Sequence, residues 1–360
     1  MSLVKPKIAI ISTSLSAGGA ERFAGSLGIM LEELNFEIHH IAINDGVDFH
    51  FNGKLLNLGK RCDQNISVVK KIKKGILIYQ YLKENEINTI IDNRSRNNFV
   101  RELIAQWIFG KRKKFAIIHS FQIHSYLPKS IFLAKILYKN TQKLICVSSD
   151  IEQKVIKKYG FENTQTIYNS ITIPNKDFET PENLPEKFIL FFGRLNEKVK
   201  NISFLLDAFL TSKIFESGYK LIILGSGPDA DFVKNKINAL GLDENVLMIP
   251  YANNPFGYVK LAKFTLLTSN YEGFPMSIIE SLALGTPVVA VDCNSGPREI
   301  IQNRQNGLLV ENYNVQALAN AIKTLAVDDE LYQICKNNAV KSVQHLTKEN
   351  IAKQWLKILS

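Results

Sequence analysis

The chain has 360 residues, of which 46% are hydrophobic and 22% charged, a composition typical of a globular protein with more than one core. The apolar content excludes a disordered chain, and the absence of an uncharged apolar stretch of about 20 residues excludes an integral membrane protein. The net charge is +10 and lies entirely in residues 1–180, which hold 26 basic and 16 acidic side chains, against 18 of each in residues 181–360. The two halves are therefore expected to meet different partners.

The cysteines and the first residues bear on the compartment. Four widely spaced cysteines without a Cys-x-x-Cys pair predict neither a disulfide framework nor a zinc site. The first residues lack the apolar core of a signal peptide. We therefore expect a reducing, cytoplasmic location.

Short β-branched runs alternate with amphipathic stretches along the chain, a pattern typical of parallel strands covered by helices on both faces. In the first half, strands are predicted at 7–13, 37–43, 88–92, 115–119, 143–148 and 164–168. In the second half, they are predicted at 187–193, 219–225, 245–249, 264–268, 287–291 and 307–310. A helix should follow the first strand. Three helices should follow residue 312, the last over 348–359 with Trp355 on its buried side.

The predicted fold class is α/β, with two doubly wound, Rossmann-like domains facing a cleft. Residues 174–186, rich in proline and charge, form the predicted linker between a first domain, 1–173, and a second domain, 187–345, followed by a final helix at 346–360. Ligands of such domains bind at the carboxyl ends of the strands, here in the cleft. The same fold would suit a periplasmic-type binding protein or an epimerase, so the loops must decide the function.

Three loops at predicted strand ends carry residues suited to a phosphorylated ligand. Gly18 and Gly19 precede a helix whose first N–H groups can face a phosphate. Arg194 offers a planar fork of donors next to lysines, a combination suited to a diphosphate. Gly225 and Gly227 clear space at a third strand end. Taken singly, the Gly18-Gly19 segment is better explained by an ordinary turn, the Arg194 loop is equally explained by a solvated charge cluster, and the loop of Gly225 and Gly227 has a simple turn as its alternative.

The fourth loop, 270–287, is the most informative. It leads from a strand through a Gly-Phe-Pro turn into a helix, with Pro275 suited to the first helical position and Gly285 ending the helix. Glu280 lies inside this apolar helix, where its carboxylate requires a partner. If both were helical, Glu272 and Glu280 would lie about 12 Å apart. This exceeds the separation of about 5 to 9.5 Å in a hydrolytic carboxylate pair, so the two are expected to hold the ends of one long ligand.

Together, these motifs resemble the landmarks of the retaining glycosyltransferases with the GT-B fold. This large family includes sucrose-phosphate synthase-like enzymes and bacterial polysaccharide mannosyl-, galactosyl- and N-acetylhexosaminyltransferases. Glu272 and Glu280 match its Glu-x7-Glu motif. The segments 18–22, 193–195, 225–228 and 285–289 follow in the family's order, so the resemblance covers almost the whole chain. It implies a retaining, metal-independent hexosyltransferase whose final helix crosses back to the first domain.

The resemblance also implies roles for single residues. Arg194 and Lys200 bind the donor diphosphate, with Lys198 as the alternative because the family's spacing is displaced here by one residue. Glu272 contacts the donor sugar and Glu280 the ribose. The implied catalytic residues are His119, Arg194, Lys200 and Glu272. The implied donor-binding residues are Gly18, Gly19, Arg194, Lys200, Gly225, Gly227, Glu272, Gly273, Phe274, Pro275, Met276 and Glu280.

Two residues of the first half complete the comparison with the family. His119 resembles the histidine near the donor sugar and the reaction centre, and His124 is its competitor. Asn169 resembles an asparagine of structural role after the last strand of the first domain. No metal ligand and no cofactor are implied, since the nucleotide diphosphate sugar is a substrate.

The implied reaction moves a hexose or N-acetylhexosamine from a nucleotide diphosphate sugar to a glycan acceptor. UDP is favoured as the nucleotide because residues 294–299 resemble a segment frequent in galactose-type and N-acetylhexosamine-type transferases. A lipid-linked acceptor is favoured, in assembly of a surface polysaccharide, lipopolysaccharide or glycoprotein glycan. The alternatives are a sugar-nucleotide epimerase of the same fold and a non-catalytic sugar-nucleotide binding module.

The basic first half predicts its own partner. Lysine-rich clusters at 70–74 and 111–114, with Trp107, Ile108 and Phe109 nearby, favour peripheral binding to the anionic inner face of a membrane. Ordinary solvated lysines are the alternative. Nucleic acid is not expected, because no reader motif accompanies the basic residues.

Overall fold

The computed structural model describes residues 5–16, 18–62, 67–171, 178, 181–252 and 254–360. The chain forms two compact units, one made of Met1–Asn169 with Lys348–Ser360 and the other of Ser170–Thr347. This division places the predicted linker, 174–186, in the second unit. Its residues 174–177, 179 and 180 lie outside the described residues.

The first unit is built on a parallel sheet in the order β3-β2-β1-β4-β5-β6-β7. The strands are β1 (Lys7–Ser12), β2 (Glu37–Ala42), β3 (Lys54–Asn57), β4 (Thr89–Asp92), β5 (Lys113–Ile118), β6 (Lys143–Cys146) and β7 (Thr164–Thr166). The strand order reverses between β1 and β4, which pair through Ile8 and Thr89. Six of these strands were predicted from the sequence. The seventh, β3, was not, because it is a short edge strand with only one fully buried residue, Leu56.

Six helices of the first unit precede the second unit in the chain. They are α1 (Gly19–Glu33), α2 (Leu58–Arg61), α3 (Ser67–Glu84), α4 (Phe99–Phe109), α5 (Ile131–Tyr138) and α6 (Ser149–Tyr159). Among them, α1 is the helix predicted after the first strand, and it buries Leu27, Met30 and Leu31. A short 3-10 helix, Ile123–Ser125, follows β5.

The second unit repeats the parallel arrangement in the order β10-β9-β8-β11-β12-β13. Its strands are β8 (Phe188–Phe192), β9 (Lys220–Leu224), β10 (Val246–Ile249), β11 (Thr265–Leu267), β12 (Val288–Val291) and β13 (Gly307–Val310). Its helices are α7 (Glu197–Lys200), α8 (Ile202–Ser212), α9 (Ala230–Ala239), α10 (Phe256–Leu261), α11 (Met276–Ala283), α12 (Pro297–Ile300), α13 (Val315–Val327) and α14 (Asp329–Ser342). All six predicted strands are confirmed. They are recognisable because each contains a short apolar run, and those of β8 and β12 are buried on both faces.

The last helix, α15 (Lys348–Leu359), belongs to the first unit. It packs near α1, where Lys348 Nζ lies 2.7 Å from Glu33 Oε1. Trp355 is fully buried, together with Ile351 and Leu359 on the same side of the helix. The predicted return of the chain to the first domain is confirmed.

Two features of the basic first half differ from expectation. Of the three apolar residues at 107–109, only Trp107 is exposed, because Ile108 and Phe109 belong to the core. In the cluster at 111–114, Lys111 and Lys113 are exposed, whereas the Arg112 guanidinium donates to Ile87 O and the buried Lys114 donates to Gln106 Oε1. Among the helices in the described ranges, none combines the length and the apolar character needed to cross a bilayer.

Candidate active site

The loop after β8 leads into two consecutive helices. Asn196 caps α7, since its side chain accepts a hydrogen bond from Val199 N. Asn201 then adopts the left-handed conformation, with φ 50°, and ends the single turn. The Glu197 carboxylate accepts hydrogen bonds from the first N–H groups of α8, at 2.8 Å from Ile202 N. This local capping places Lys200 at the end of α7, and it accommodates the displaced lysine spacing noted in the sequence.

Lys200 and Glu272 meet at the carboxyl ends of β8 and β11. The distance between Lys200 Nζ and Glu272 Oε1 is 2.6 Å, and the two side chains are only 19% and 13% exposed. Ser269 Oγ donates to the same carboxylate oxygen at 2.6 Å. The backbone of Lys200 is fixed as well, because Thr268 Oγ1 donates to its carbonyl. The pair is therefore a preorganised charged site with its partners in place.

Lys198, the alternative diphosphate lysine, is differently placed. Its side chain is exposed, while its carbonyl accepts a hydrogen bond from Asn270 Nδ2 at 3.0 Å. Asn270 N donates to Val199 O at 2.8 Å. The backbone of α7 thus anchors the loop after β11, and the side chain of Lys200, rather than that of Lys198, reaches Glu272. Arg194, in the loop before α7, is exposed.

The loop that carries Glu272 rests on the segment 294–296. Glu272 N donates to Asn294 O at 3.1 Å, and Ser295 Oγ donates to Gly273 O at 2.7 Å. Gly296 faces Pro275 so closely that a Cβ would lie 2.3 Å from the proline ring. From the sequence, residues 294–299 were expected only to indicate nucleotide preference, and Ser269, which follows β11, was not predicted as a site residue. The sequence signal that could have identified Ser269 was its position just after the predicted strand.

Helix α11 begins at Met276, so Pro275 is the N-cap and not, as predicted, the first helical residue. Its end is as predicted: Gly285 has φ 80°, and its N–H donates to Leu282 O while Thr286 N donates to Ser281 O. These two bonds form a Schellman motif. Glu280 lies within the helix and is 5% exposed.

Glu272 lies outside α11, in the turn that precedes it. The 12 Å estimate, which assumed that both glutamates are helical, therefore does not apply. Phe274, between them in the chain, is buried and 6% exposed. Met276, at the start of α11, is partly exposed.

Gly225 and Gly227 allow two loops to pack backbone against backbone. A Cβ on Gly225 would lie 1.9 Å from Gly193 O, and one on Gly227 would lie 2.1 Å from Leu195 O. Leu195 N donates to Ser226 O at 3.0 Å across the same contact. Glycine is required at both positions because the two loops approach each other closely. The same contact holds the loop of Arg194 at the end of β8.

In the first unit, Gly18 and Gly19 form the start of α1. Gly18 is the N-cap, with its carbonyl accepting from Arg22 N at 3.0 Å. The position of a Cβ on Gly18 is taken by the Glu21 carboxylate, whereas a Cβ on Gly19 would meet nothing within 4 Å. The backbone of Gly19 is therefore open to a ligand at the amino end of a long helix.

His119 follows β5 directly and is oriented by Asn93. Its Nε2 lies 2.5 Å from Asn93 Oδ1. Asn93 Nδ2 donates to Ala20 O at 2.8 Å, which turns Oδ1 toward the imidazole. His119 Nε2 therefore carries the proton, and Nδ1 does not. Asn93, which follows β4, was not predicted as a site residue, because the residues beside it in the sequence form no motif that indicates a contact with His119.

The imidazole of His119 is neutral. Desolvation, together with the nearby Arg96 guanidinium, lowers the pKa of His119 to about 3. The ring packs edge to face on Phe23, with centroids 5.0 Å apart, and lies 6.2 Å from the ring of Tyr126. His119 can therefore act through hydrogen bonding and packing, but not as a cation, at neutral pH.

Arg96 holds the segment behind His119. It is 1% exposed, and its guanidinium donates to three backbone carbonyls, those of Asp92, Arg94 and Ile117. Arg96 N also donates to Ser125 O at 2.8 Å. The ends of β4 and β5 and the following 3-10 helix are thereby tied together.

His124 and Asn169 lie apart from this arrangement. His124 Nε2 is 3.0 Å from Lys158 Nζ and its Nδ1 is 3.4 Å from Tyr159 Oη, so its side chain contacts α6. Burial and the neighbouring lysines, Lys158 first, lower the pKa of His124. Asn169, three residues after β7, is 8% exposed. Of the two histidines, His119 is the one joined to the loop of Gly19, through Asn93 and Ala20.

Known proteins resemble this chain in sequence and in fold. Residues 172–342 match the family of glycosyl transferases group 1. Over 374 aligned positions the chain is 31% identical to the Campylobacter jejuni N-acetylgalactosamine-N,N'-diacetylbacillosaminyl-diphospho-undecaprenol 4-alpha-N-acetylgalactosaminyltransferase, covering 98% of this chain and 99% of that protein. Other relatives are named as lipopolysaccharide 1,6-galactosyltransferases of Escherichia coli and Salmonella typhimurium.

Two solved structures show the same fold. Staphylococcus aureus TarM, in complex with fondaparinux, alpha-GlcNAc-glycerol and UDP, superimposes with a TM-score of 0.81 at 15% identity, covering 99% of this chain and 100% of that one. Anabaena HepE in complex with UDP gives a TM-score of 0.79 at 21% identity, covering 98% and 99%. Together with the full-length relative from Campylobacter, these similarities identify the two sheets as the GT-B fold. The chain belongs to the family of group 1 glycosyltransferases.

Proposed function

We propose that this protein transfers a hexose or N-acetylhexosamine from a UDP-sugar to a lipid-linked glycan acceptor, with retention of the anomeric configuration. The observation that carries the proposal is the ion pair of Lys200 with Glu272 at the carboxyl ends of β8 and β11. A cation and a carboxylate held 2.6 Å apart suit the two parts of a sugar nucleotide, the diphosphate and the sugar hydroxyls.

The donor diphosphate would be held by Arg194 and Lys200. Arg194 is exposed and therefore accessible to a ligand, and Lys200 is immobilised by its partners. The first N–H groups of α11, from Met276 onward, add partial positive charge near Glu272. Glu280, buried in the same helix, would accept hydrogen bonds from the ribose hydroxyls. Glu272 would contact the donor sugar.

Two kinds of similarity support the choice of donor and acceptor. The structures of TarM and HepE were determined with UDP bound, which favours UDP over other nucleotides. The name of the Campylobacter relative describes an acceptor carried on diphospho-undecaprenol, which favours a lipid-linked glycan here. Related names refer to lipopolysaccharide and amylovoran, so the product belongs to a bacterial surface polysaccharide or glycan.

The reaction follows from the charges of the site. The bond between the sugar carbon C1 and the diphosphate oxygen breaks, and negative charge develops on the leaving group, where Arg194 and Lys200 stabilise it. The acceptor hydroxyl forms the new bond on the same face of the sugar, and its proton passes to an oxygen of the departing phosphate. His119, neutral and positioned by Asn93, would orient the reacting groups through hydrogen bonds.

We propose that no metal ion takes part, because Arg194 and Lys200 would already supply two cations for the diphosphate. The chain contains one Asp-x-Asp string, at Asp229 and Asp231. Asp229 Oδ2 accepts a hydrogen bond from Glu197 N at 2.7 Å, which gives this carboxylate a role in joining the loops after β8 and β9. Turnover should therefore be unaffected by EDTA, and loss of turnover that Mg²⁺ or Mn²⁺ restores would contradict this part of the proposal.

The test is incubation of the purified protein with a panel of UDP- and GDP-sugars, with and without a diphospho-polyprenol-linked glycan. We expect sugar transfer that requires the acceptor, and an α-linked product from an α-linked donor by NMR. The matched control is Glu272→Gln, which keeps the shape of the side chain and should abolish transfer. Conversion of the donor alone would indicate an epimerase, and binding without turnover would indicate a sugar-nucleotide binding module.

A further inference from the structure

The helices on one side of the first sheet carry apolar side chains on their outer as well as their inner faces. Helices α3, α4 and α5 are neighbours in that order, as right-handed crossovers over one face of the sheet require. The inner side of α4 contributes Ala105, Ile108 and Phe109 to the core. The exposed apolar residues of α4 are Val100, Leu103, Ile104 and Trp107, beside the exposed Arg101. A helix that is apolar on both sides normally has an apolar neighbour on each.

The outer apolar residues continue onto the adjoining helices. On α3 they recur at helical spacing and therefore form one stripe. The exposed apolar residues are Val69, Ile72, Ile76 and Tyr79 on α3, and Ile131, Phe132 and Ile136 on α5. The rings of Tyr79 and Trp107 stack with centroids 6.0 Å apart and planes at 17°, which joins the stripes of α3 and α4. We call these eleven residues of α3, α4 and α5 the outer apolar face.

The two most exposed members, Trp107 and Phe132, are aromatic. Trp107 is 76% exposed, Phe132 72% and Tyr79 42%. Tryptophan and tyrosine rings suit the boundary between lipid headgroups and acyl chains, because each combines a large apolar body with one polar atom. A single exposed apolar residue needs no explanation, but a contiguous set of this size marks an interaction surface.

The charges on the same helices are basic. Helix α3 contains five lysines, Lys70, Lys71, Lys73, Lys74 and Lys83, and one acidic residue, Glu84. The one acidic residue of α4, Glu102, is 1% exposed, and its carboxylate accepts a hydrogen bond from Arg94. Lysine stems can lie along apolar surface while their ammonium groups reach phosphate groups. The surroundings of the outer apolar face are therefore complementary to an anionic layer.

We propose that the outer apolar face is a membrane-docking surface whose occupant is an anionic lipid bilayer. It would insert Trp107, Phe132 and their neighbours at the level of the headgroups, with the exposed Lys71 and Lys73 of α3 on lipid phosphates. This inference rests on the proposed function, since a lipid-linked acceptor is presented at a bilayer. It replaces the cluster at 111–114, whose Arg112 and Lys114 are engaged within the protein.

A second copy of the chain fits this surface less well. In a twofold dimer through the outer apolar face, the lysine-rich α3 of one copy would face α3 or α5 of the other, and α5 carries Lys135 and no acidic residue. Like charges brought together in this way oppose association. A bilayer containing anionic lipid neutralises the same lysines.

The test is co-sedimentation of the full chain with vesicles of phosphatidylcholine, with and without phosphatidylglycerol. The apolar variant is the triple substitution Ile104→Ser, Trp107→Ser and Phe132→Ser, and all three side chains are more than half exposed, so the fold should persist. The matched control replaces two exposed apolar residues of the second unit, Phe232→Ser and Tyr313→Ser, which are 49% and 67% exposed.

We expect the wild type and the control to bind vesicles that contain phosphatidylglycerol, and the apolar variant to bind at least about tenfold more weakly. Lys71→Gln with Lys73→Gln should weaken binding at low salt and have little effect at high salt. Equal binding of the apolar variant and the wild type, or no vesicle binding by the wild type, would overturn the proposal. So would a wild-type dimer that the apolar substitutions dissociate.

Activity on a water-soluble acceptor separates the two proposals. The apolar variant should retain wild-type turnover with such an acceptor and lose it only with the lipid-linked acceptor in vesicles. If the wild type binds vesicles but transfers no sugar to any acceptor, the proposed function fails while the docking surface stands.

Discussion

Removal of the Lys200 ammonium is the sharpest test of the site, because the structure gives this group one well-defined partner. Lys200→Met keeps the length of the side chain and deletes its charge, leaving the Glu272 carboxylate with the hydrogen bond from Ser269. Removing one partner of a fully buried pair costs about 3 to 5 kcal/mol. These side chains are still 19% and 13% exposed and one hydrogen bond remains, so we expect a loss of about 1 to 3 kcal/mol in the free energy of unfolding.

Urea unfolding measures this loss, and a double-mutant cycle isolates the pair. Glu272→Gln in the Lys200→Met background removes the stranded charge, so the double variant should be more stable than the sum of the single losses predicts, by about 1 kcal/mol or more. The control Lys198→Met alters an exposed side chain in the same turn and should leave stability unchanged within about 0.5 kcal/mol.

The same variants test the assignment of the diphosphate lysine. Lys200→Met should lower turnover about 100-fold or more, since it removes a fixed cation from the leaving group. Lys198→Met should have little effect. If Lys198→Met lowers turnover more than Lys200→Met, or if the cycle shows no coupling between Lys200 and Glu272, the reasoning from the ion pair is refuted.

Three further predictions concern other parts of the two units. Glu280→Ala should weaken UDP binding by about 1.5 to 3 kcal/mol for each ribose hydrogen bond lost, and unchanged binding in calorimetry would show that the ribose assignment is wrong. Gly227→Ala should lower the Tm, because its Cβ would lie 2.1 Å from Leu195 O. The control Gly19→Ala, with open space around its Cβ, should leave the Tm unchanged. Equal melting temperatures of the two variants would contradict the close packing of the loops. The pKa of His119 falls from its ordinary 6.5 to about 3 on folding, so the unfolded chain binds the extra proton and stability decreases as the pH is lowered through this window. His119 contributes at most about 1.4 kcal/mol per pH unit to the pH dependence of the free energy of unfolding. His119→Phe should therefore reduce this pH dependence in urea unfolding, and an unchanged slope would disprove the prediction.

The local pattern of the chain was sufficient to predict most of the fold. Most buried parallel strands are short apolar runs whatever their neighbours, so twelve of the thirteen strands within the described residues could be located without the tertiary structure. The end of α11 at Gly285 was equally predictable, because a left-handed residue after a helix is a local requirement. The edge strand β3 was not, since the pairing with β2 that defines it is not a local property.

The order of the motifs likewise indicated the family and the candidate residues of each loop. What the sequence left open was which side chains meet. It favoured Lys200 and kept Lys198 as the alternative, and the capping of α7 and α8 places Lys200 within reach of Glu272. It offered His119 and His124 as competitors, and the contacts with Asn93 and Lys158 separate them.

Burial is the property that only the tertiary structure decided. Trp107, Ile108 and Phe109 are adjacent in the chain and equally apolar, yet two belong to the core and one faces outward, because successive helical residues point in different directions. In the same way, the charges at 111–114 suggested a free basic patch until Arg112 and Lys114 were found to donate within the protein. Composition records how much charge and apolar surface a chain has, whereas packing determines which part of it remains available to a partner.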